Sequence, residues 1–218
     1  MSLSSRLRAD ADYIWRKIFE HPFVNGLYSG KLPIEKFIFY VKQDYNYLVG
    51  MMRVFSLLAS KADYEIARLA LEVAHADAVI EMNNYLKLLE NLGLTIDDAL
   101  SEEPMPTNVA YMNFLLSTCY VGSPIECLVA VLPCFWSYEE IAERKKDLLL
   151  KNRVELYVDW ARAYLSKEYK ELVLRIRRTL DGIWDGSNYG KLRRIFVTAS
   201  RYEYMFWDAV YREERWPV

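Results

Sequence analysis

Apolar residues recur at intervals of three and four along almost the whole chain, and few stretches alternate with a period of two. That is the signature of amphipathic helices rather than strands. The spacing predicts helices near Ser5–Glu20, Pro33–Ser60, Tyr64–Leu92, Thr107–Val121, Pro124–Leu150, Arg153–Leu165, Lys167–Asp181 and Ser187–Arg212. Pro33 and Pro124 suit a first helical turn, Ser5, Thr107, Ser166 and Ser187 suit caps, and Gly30, Gly93 and Gly122 punctuate ends. Long helices with short connections pack as an up-and-down bundle, with ligand sites formed in the interior by facing helices. The expected fold class is therefore all-α, and with no Gly/Ser-rich or Pro-rich linker the 218 residues are expected to form one domain, 1–218.

Three of the predicted helices place reactive groups on apolar faces. Tyr40, Asp44, Tyr47 and Met51 follow one another at four, three and four, so a carboxylate lies on a stripe of rings and a thioether. Burying it is costly without a partner. Either a tyrosine hydroxyl or a backbone amide satisfies Asp44, or it awaits the amino hydrogens of a ligand. Phe196, Ser200, Glu203 and Trp207 repeat the spacing in the last helix, where desolvation would tune Glu203 toward general acid/base work unless an arginine pairs with it. Cys134, Tyr138 and Ile141 share a face just behind Pro133, whose ring predicts a kink. A buried cysteine is commonly packing, so the face alone leaves Cys134 open between filler and nucleophile. Tyr111 and Tyr164 add phenols from other helices.

Charge and composition narrow the class. The 28 Lys and Arg against 30 Asp and Glu give a net charge of −2 with only short basic clusters. That lacks the phosphate-neutralising footprint of a nucleic-acid protein. The first fifteen residues lack a signal-peptide core, and the most apolar stretch, Cys127–Trp136, is too short to cross a bilayer, so a cytoplasmic protein without membrane contact is expected. Cys119, Cys127 and Cys134 fit neither a zinc knuckle nor a CxxC pair and read as free thiols, with a Cys119–Cys127 bridge left open. The 17 tyrosines need partners for their hydroxyls wherever their rings are buried. A dinuclear carboxylate site wants two Glu-x-x-His units, and the chain has one, Glu72–His75. His21, just before Pro22, reads as ordering a turn.

With these residues in place, the chain resembles the TenA, or thiaminase II, family. The likeness runs through "HPFVNGLYSGKLPIEKFIFYVKQDYNYL" at 21–48, "NVAYMNFLL" at 108–116, "ECLVAVLPCFWSYEEIAE" at 126–143, "YVDWARAYLSKEY" at 157–169 and "ASRYEYMFWDAVY" at 199–211. It implies the helical fold of the haem oxygenases without haem, in a homotetramer. It implies Cys134 as the catalytic cysteine, Asp44 as the acid on the amino group and ring nitrogen of a pyrimidine, and Glu203 as the proton-transferring acid. Tyr47, Tyr111, Tyr138 and Tyr164 match the tyrosines around the pyrimidine. One departure lies in the third predicted helix, where members often carry a histidine a few residues after the glutamate aligned with Glu81. Here Asn83, Asn84 and Tyr85 stand instead.

The activity implied is hydrolysis of the group on the 5-methylene of a 4-amino-2-methylpyrimidine, with thiamin or one of its breakdown products as substrate and no metal or organic cofactor. Two competing readings are a pyrimidine-binding or thiamin-binding protein without turnover, and a haem-oxygenase-like oxidase.

Overall fold

The computed structural model describes residues 1–218 and is built of helices joined by short turns, without a strand. In chain order these are α1 (Leu3–Asp10), α2 (Asp12–Phe19), α3 (Pro22–Ser29), α4 (Ile34–Lys61), α5 (Tyr64–His75), a π-helical turn (Ala76–Glu81) and α6 (Met82–Asn91). They continue as α7 (Ile96–Leu100), α8 (Pro106–Val121), α9 (Pro124–Leu149), α10 (Glu155–Ala163), α11 (Lys167–Ile183) and α12 (Tyr189–Arg212). The all-α expectation holds, and no helix is long and apolar enough to cross a membrane. The chain divides into two compact units, Met1–Pro33 with Leu128–Asp208 and Ile34–Cys127 with Ala209–Val218.

Several predicted helices are subdivided. The expected Ser5–Glu20 helix is two, α1 and α2, broken at Ala11, and Ser2 rather than Ser5 caps the first by accepting the Ser5 amide. Between His21 and Gly30 lies α3, unforeseen because Pro22 reads as a turn signal; Pro22 is its first residue, and His21 Nδ1 caps it by accepting from the Phe23 amide at 3.2 Å. His21 does order its turn as expected. At the other end Gly30 adopts a left-handed φ of 75°, and a Cβ there would come within 2.5 Å of Asn152 Oδ1. Only glycine fits that site. Asn152 in turn donates to the Leu27 and Tyr28 carbonyls, and Tyr157 donates to the Leu32 carbonyl at 2.9 Å. These bonds hold α10 on α3 in the first unit.

Two more caps differ. Ser166 does cap α11, but Thr107 is already inside α8, where its amide donates to Glu214 at 2.8 Å. Ser187 lies in a turn bonded to Asp185, followed by Asn188 at φ 55°, before α12 begins. In the second unit α4, roughly 42 Å long at 1.5 Å per residue, packs against α5, α6, α7, α8 and the π-helical turn. Gln43 fixes its register: it donates to the Glu103 carbonyl and accepts the Met105 amide, both at 2.9 Å, while Asn108 donates to its backbone at 2.8 Å. Cys119 and Cys127, expected as free thiols, form a disulfide across the Gly122–Ser123 turn. The turn brings the end of α8 and the first turn of α9 to a Cα separation of 4.6 Å, within bridging reach.

Candidate active site

In the first unit, every residue of α9 from Leu128 to Ser137 is buried except Cys134, which is outside the disulfide and partly accessible. An inert packing thiol would be as enclosed as its neighbours, so the exposure favours a functional role. α9 continues unbroken through Pro133, and Tyr169 pins the residue after the thiol by donating to the Phe135 carbonyl at 3.0 Å. One turn on, Tyr138 lies with its ring 4.9 Å from Tyr164 and 5.1 Å from Trp207. Trp160 closes on Tyr164 at 4.9 Å. Tyr138, Ile141, Trp160 and Trp207 share a small apolar cavity with Phe23 and Leu27.

The α12 face forms as its spacing predicts, with Phe196, Ser200, Glu203 and Trp207 all buried. Glu203 retains 3% of its surface. Trp15 fixes this face by donating to Ser200 at 2.9 Å and stacking on Phe196 at 6.1 Å. A carboxyl buried on so fixed a helix face has few ways to reorganise, which suits a group that must hand a proton to a fixed atom. The structure thus joins Tyr138 and Tyr164 directly, with Glu203 one turn before the Trp207 that touches Tyr138.

In the second unit, Asp44 sits beside the Gln43 brace. It makes no hydrogen bond or ion pair, so neither the tyrosine hydroxyl nor the backbone amide expected as partner is there. The residue keeps part of its surface accessible although protein surrounds its carboxyl. Burial, reinforced by the charge of Glu81, pushes it up to about 7. Tyr40, Tyr47 and Met51, the rest of its stripe, are buried, and Tyr47 meets Tyr111 of α8 at 5.6 Å between ring centroids. Glu72 and His75, the lone Glu-x-x-His unit, are exposed on α5.

Sequence reasoning missed two carboxylates on the π-helical turn. Asp77 is buried and, like Asp44, pushed up to about 7 by burial and then by Glu81. Glu81 has an open side, while the protein on its other sides raises its carboxyl. The available signal was the four-residue step through Val73, Asp77, Glu81 and Tyr85. In an α-helix each such step over-rotates by about 40°, and a wider π turn takes up that drift. Tyr85, part of the departure from the family pattern, is buried and donates to the Val41 carbonyl at 2.9 Å, bracing α6 on α4.

A helical chain of this kind has the haem-oxygenase-like fold. A domain of that fold from Shewanella denitrificans aligns with a TM-score of 0.79 at 16% identity, over 96% of this chain and 92% of that one. The chain belongs to the TENA/THI-4/PQQC family, whose model matches residues 8–213. Among solved structures, the TenA homologue from P. horikoshii is 50% identical with a TM-score of 0.95, covering 97% of this chain and 99% of its own. Proteins named aminopyrimidine aminohydrolase are 35% identical in Halalkalibacterium halodurans, over 99% of this chain and 98% of theirs, and 33% identical in Helicobacter pylori, over 97% and 100%.

Proposed function

We propose that this protein is an aminopyrimidine aminohydrolase, or thiaminase II, that releases 4-amino-5-hydroxymethyl-2-methylpyrimidine for thiamin salvage. The observation that carries the reading is Cys134, the one accessible residue in a buried run of α9 and the cysteine left outside the disulfide. Relatives of that name, similar over nearly the full length, support it. A non-catalytic binder has no need of an open thiol one helical turn from an ordered phenol.

In this reading the Cys134 thiolate adds to the unsubstituted ring carbon next to the 5-position while the ring nitrogen bonded to that carbon takes a proton. The electron-rich adduct expels the amine or thiazole from the 5-methylene. Water adds to the exocyclic methylene that results, and loss of the thiol with the ring proton restores the aromatic pyrimidine. Splitting one slow displacement into two easier steps is the gain from covalent catalysis. Glu203 moves the protons, Asp44 holds the amino-pyrimidine edge, and Tyr47, Tyr111, Tyr138 and Tyr164 stack on the ring or orient Cys134 and Glu203. The family match across both compact units supports a single functional domain, working in the cytoplasm. Exposed Leu71, Val79, Ile80 and Leu86 supply apolar surface for a homotetramer.

Turnover measured side by side on thiamin and on 4-amino-5-aminomethyl-2-methylpyrimidine, with Cys134→Ser as control, tests the proposal. Release of the hydroxymethylpyrimidine that depends on Cys134 is expected from at least one of them. Binding of the pyrimidine without any turnover would hand the protein to the binding class.

A further inference from the structure

Three carboxylates in the second unit lack a counter-charge. Asp77 keeps only 8% of its surface, and its Oδ2 has no hydrogen-bond partner. Neither Asp44 nor Glu81 forms a hydrogen bond or an ion pair. An ionised carboxylate left so is costly, and several together are more so. Two of them lie on one irregular element: Ala76–Glu81 is a π-helical turn packed on α4, the helix that carries Asp44, and π turns concentrate at functional sites.

The groups that act on Asp44 are few. From the turn comes Glu81, which also raises Asp77. Tyr85 approaches from α6, and Tyr45 of α4 lies against it at 5.9 Å. From α8, Tyr111 faces Tyr47. The acids near α7 have partners of their own, Thr95 for Asp98 and both Lys42 and Arg215 for Glu102, and α5 places no charge on Asp44. No cation acts on any of the three, and no group of such side chains is disposed to hold a metal ion. Protons are what remain to relieve the charge.

We propose that Glu81 is a positioning residue: from the π-helical turn packed on α4 it keeps a proton on Asp44, so that Asp44 meets the substrate as a carboxylic acid. The inference rests on the aminopyrimidine reading and deepens it. A neutral 4-aminopyrimidine edge offers an amino N–H donor beside a ring-nitrogen acceptor. A carboxylic acid matches both, its O–H donating to the ring nitrogen and its C=O accepting from the amino group. A carboxylate accepts from the amino group but turns a lone pair toward the ring nitrogen. The site therefore selects a neutral amino-pyrimidine edge, and binding weakens once Asp44 loses its proton.

Calorimetric titration with 4-amino-5-hydroxymethyl-2-methylpyrimidine across neutral to alkaline pH tests this. The native protein is expected to bind with constant affinity below pH about 7 and progressively weaker above it. Glu81→Gln should move that midpoint down by roughly one pH unit while leaving the acid-side affinity intact, and Glu81→Asp should restore it. Asp44→Asn carries the same donor and acceptor as the protonated acid, so it should bind without pH dependence. An unchanged midpoint in Glu81→Gln, or equal weakening at every pH, overturns the proposal. If Glu81→Gln fails to fold, Asp44→Asn decides alone, and its failure to bind overturns the proposal too. A flat native profile defeats the proton inference but not the aminopyrimidine reading, whereas a native protein that binds at no pH defeats both.

Discussion

Two short segments invert their surroundings in opposite senses. On α9, Leu128–Ser137 is a run of buried residues in which a single side chain, Cys134, stays open. On the π-helical turn, Ala78–Glu81 are exposed, and the buried residue is a carboxylate, Asp77. The first exception follows a proline inside an unbroken helix, Pro133, and the second sits on a widened turn. Packing alone would have closed over the thiol and left the acid in water. A thiol becomes useful when something can reach it, and an acid becomes useful when water cannot strip its proton, so the two chemistries demand opposite kinds of burial.

The contrast breaks hardest at the thiol. Cys134→Ser should lose turnover by roughly a hundredfold or more while still binding the pyrimidine, as expected when a covalent nucleophile is removed; steady-state rates with a parallel binding titration would show it. Asp44→Ala removes both halves of its recognition and should weaken pyrimidine binding by about ten- to a hundredfold, read by calorimetry. Replacing Cys119 and Cys127 by serine attacks the frame rather than the exception. Closing a loop with a sequence separation of 8 is worth roughly 2–3 kcal/mol, so denaturant unfolding should show that loss while Cys134-dependent turnover survives.

The smallest effect sharpens the other side. Asp77 and Asp44 are pushed up from 3.8 to about 7, so between those values the folded protein holds protons that the unfolded chain has released. Stability therefore falls as pH rises through that window, and the loss is complete above about 7. Asp77→Asn should raise the melting temperature by roughly 2–4 °C at pH about 8, with the gain vanishing toward pH about 4. A gain of equal size at both pH values would mean that packing, not the proton, sets the cost.

What the sequence made legible was the faces of long helices. The 3.6-residue period fixed the stripes holding Asp44 on α4, Cys134 on α9 and Glu203 on α12, because a stripe repeated over several turns is insensitive to where the helix ends. Short or irregular elements escaped for the same reason. α7 has five residues, too few for a period, and α3 hid behind Pro22. The stretch Tyr64–Leu92 looked like one helix because its pattern continues smoothly through the turn that changes its winding. The Cys119–Cys127 bridge depends on how closely two helix ends approach, which residue spacing alone leaves undetermined.

The ring cluster around Tyr138 gives the protein a built-in optical reporter. Trp160 and Trp207 both lie within van der Waals range of the tyrosines proposed to meet the substrate, whereas Trp15 and Trp136 pair with each other elsewhere at 5.6 Å. A heteroaromatic ring seated there would quench indole emission, so occupancy can be followed in unlabelled protein as it happens, and Trp160→Phe would silence part of the signal without touching an acid or the thiol.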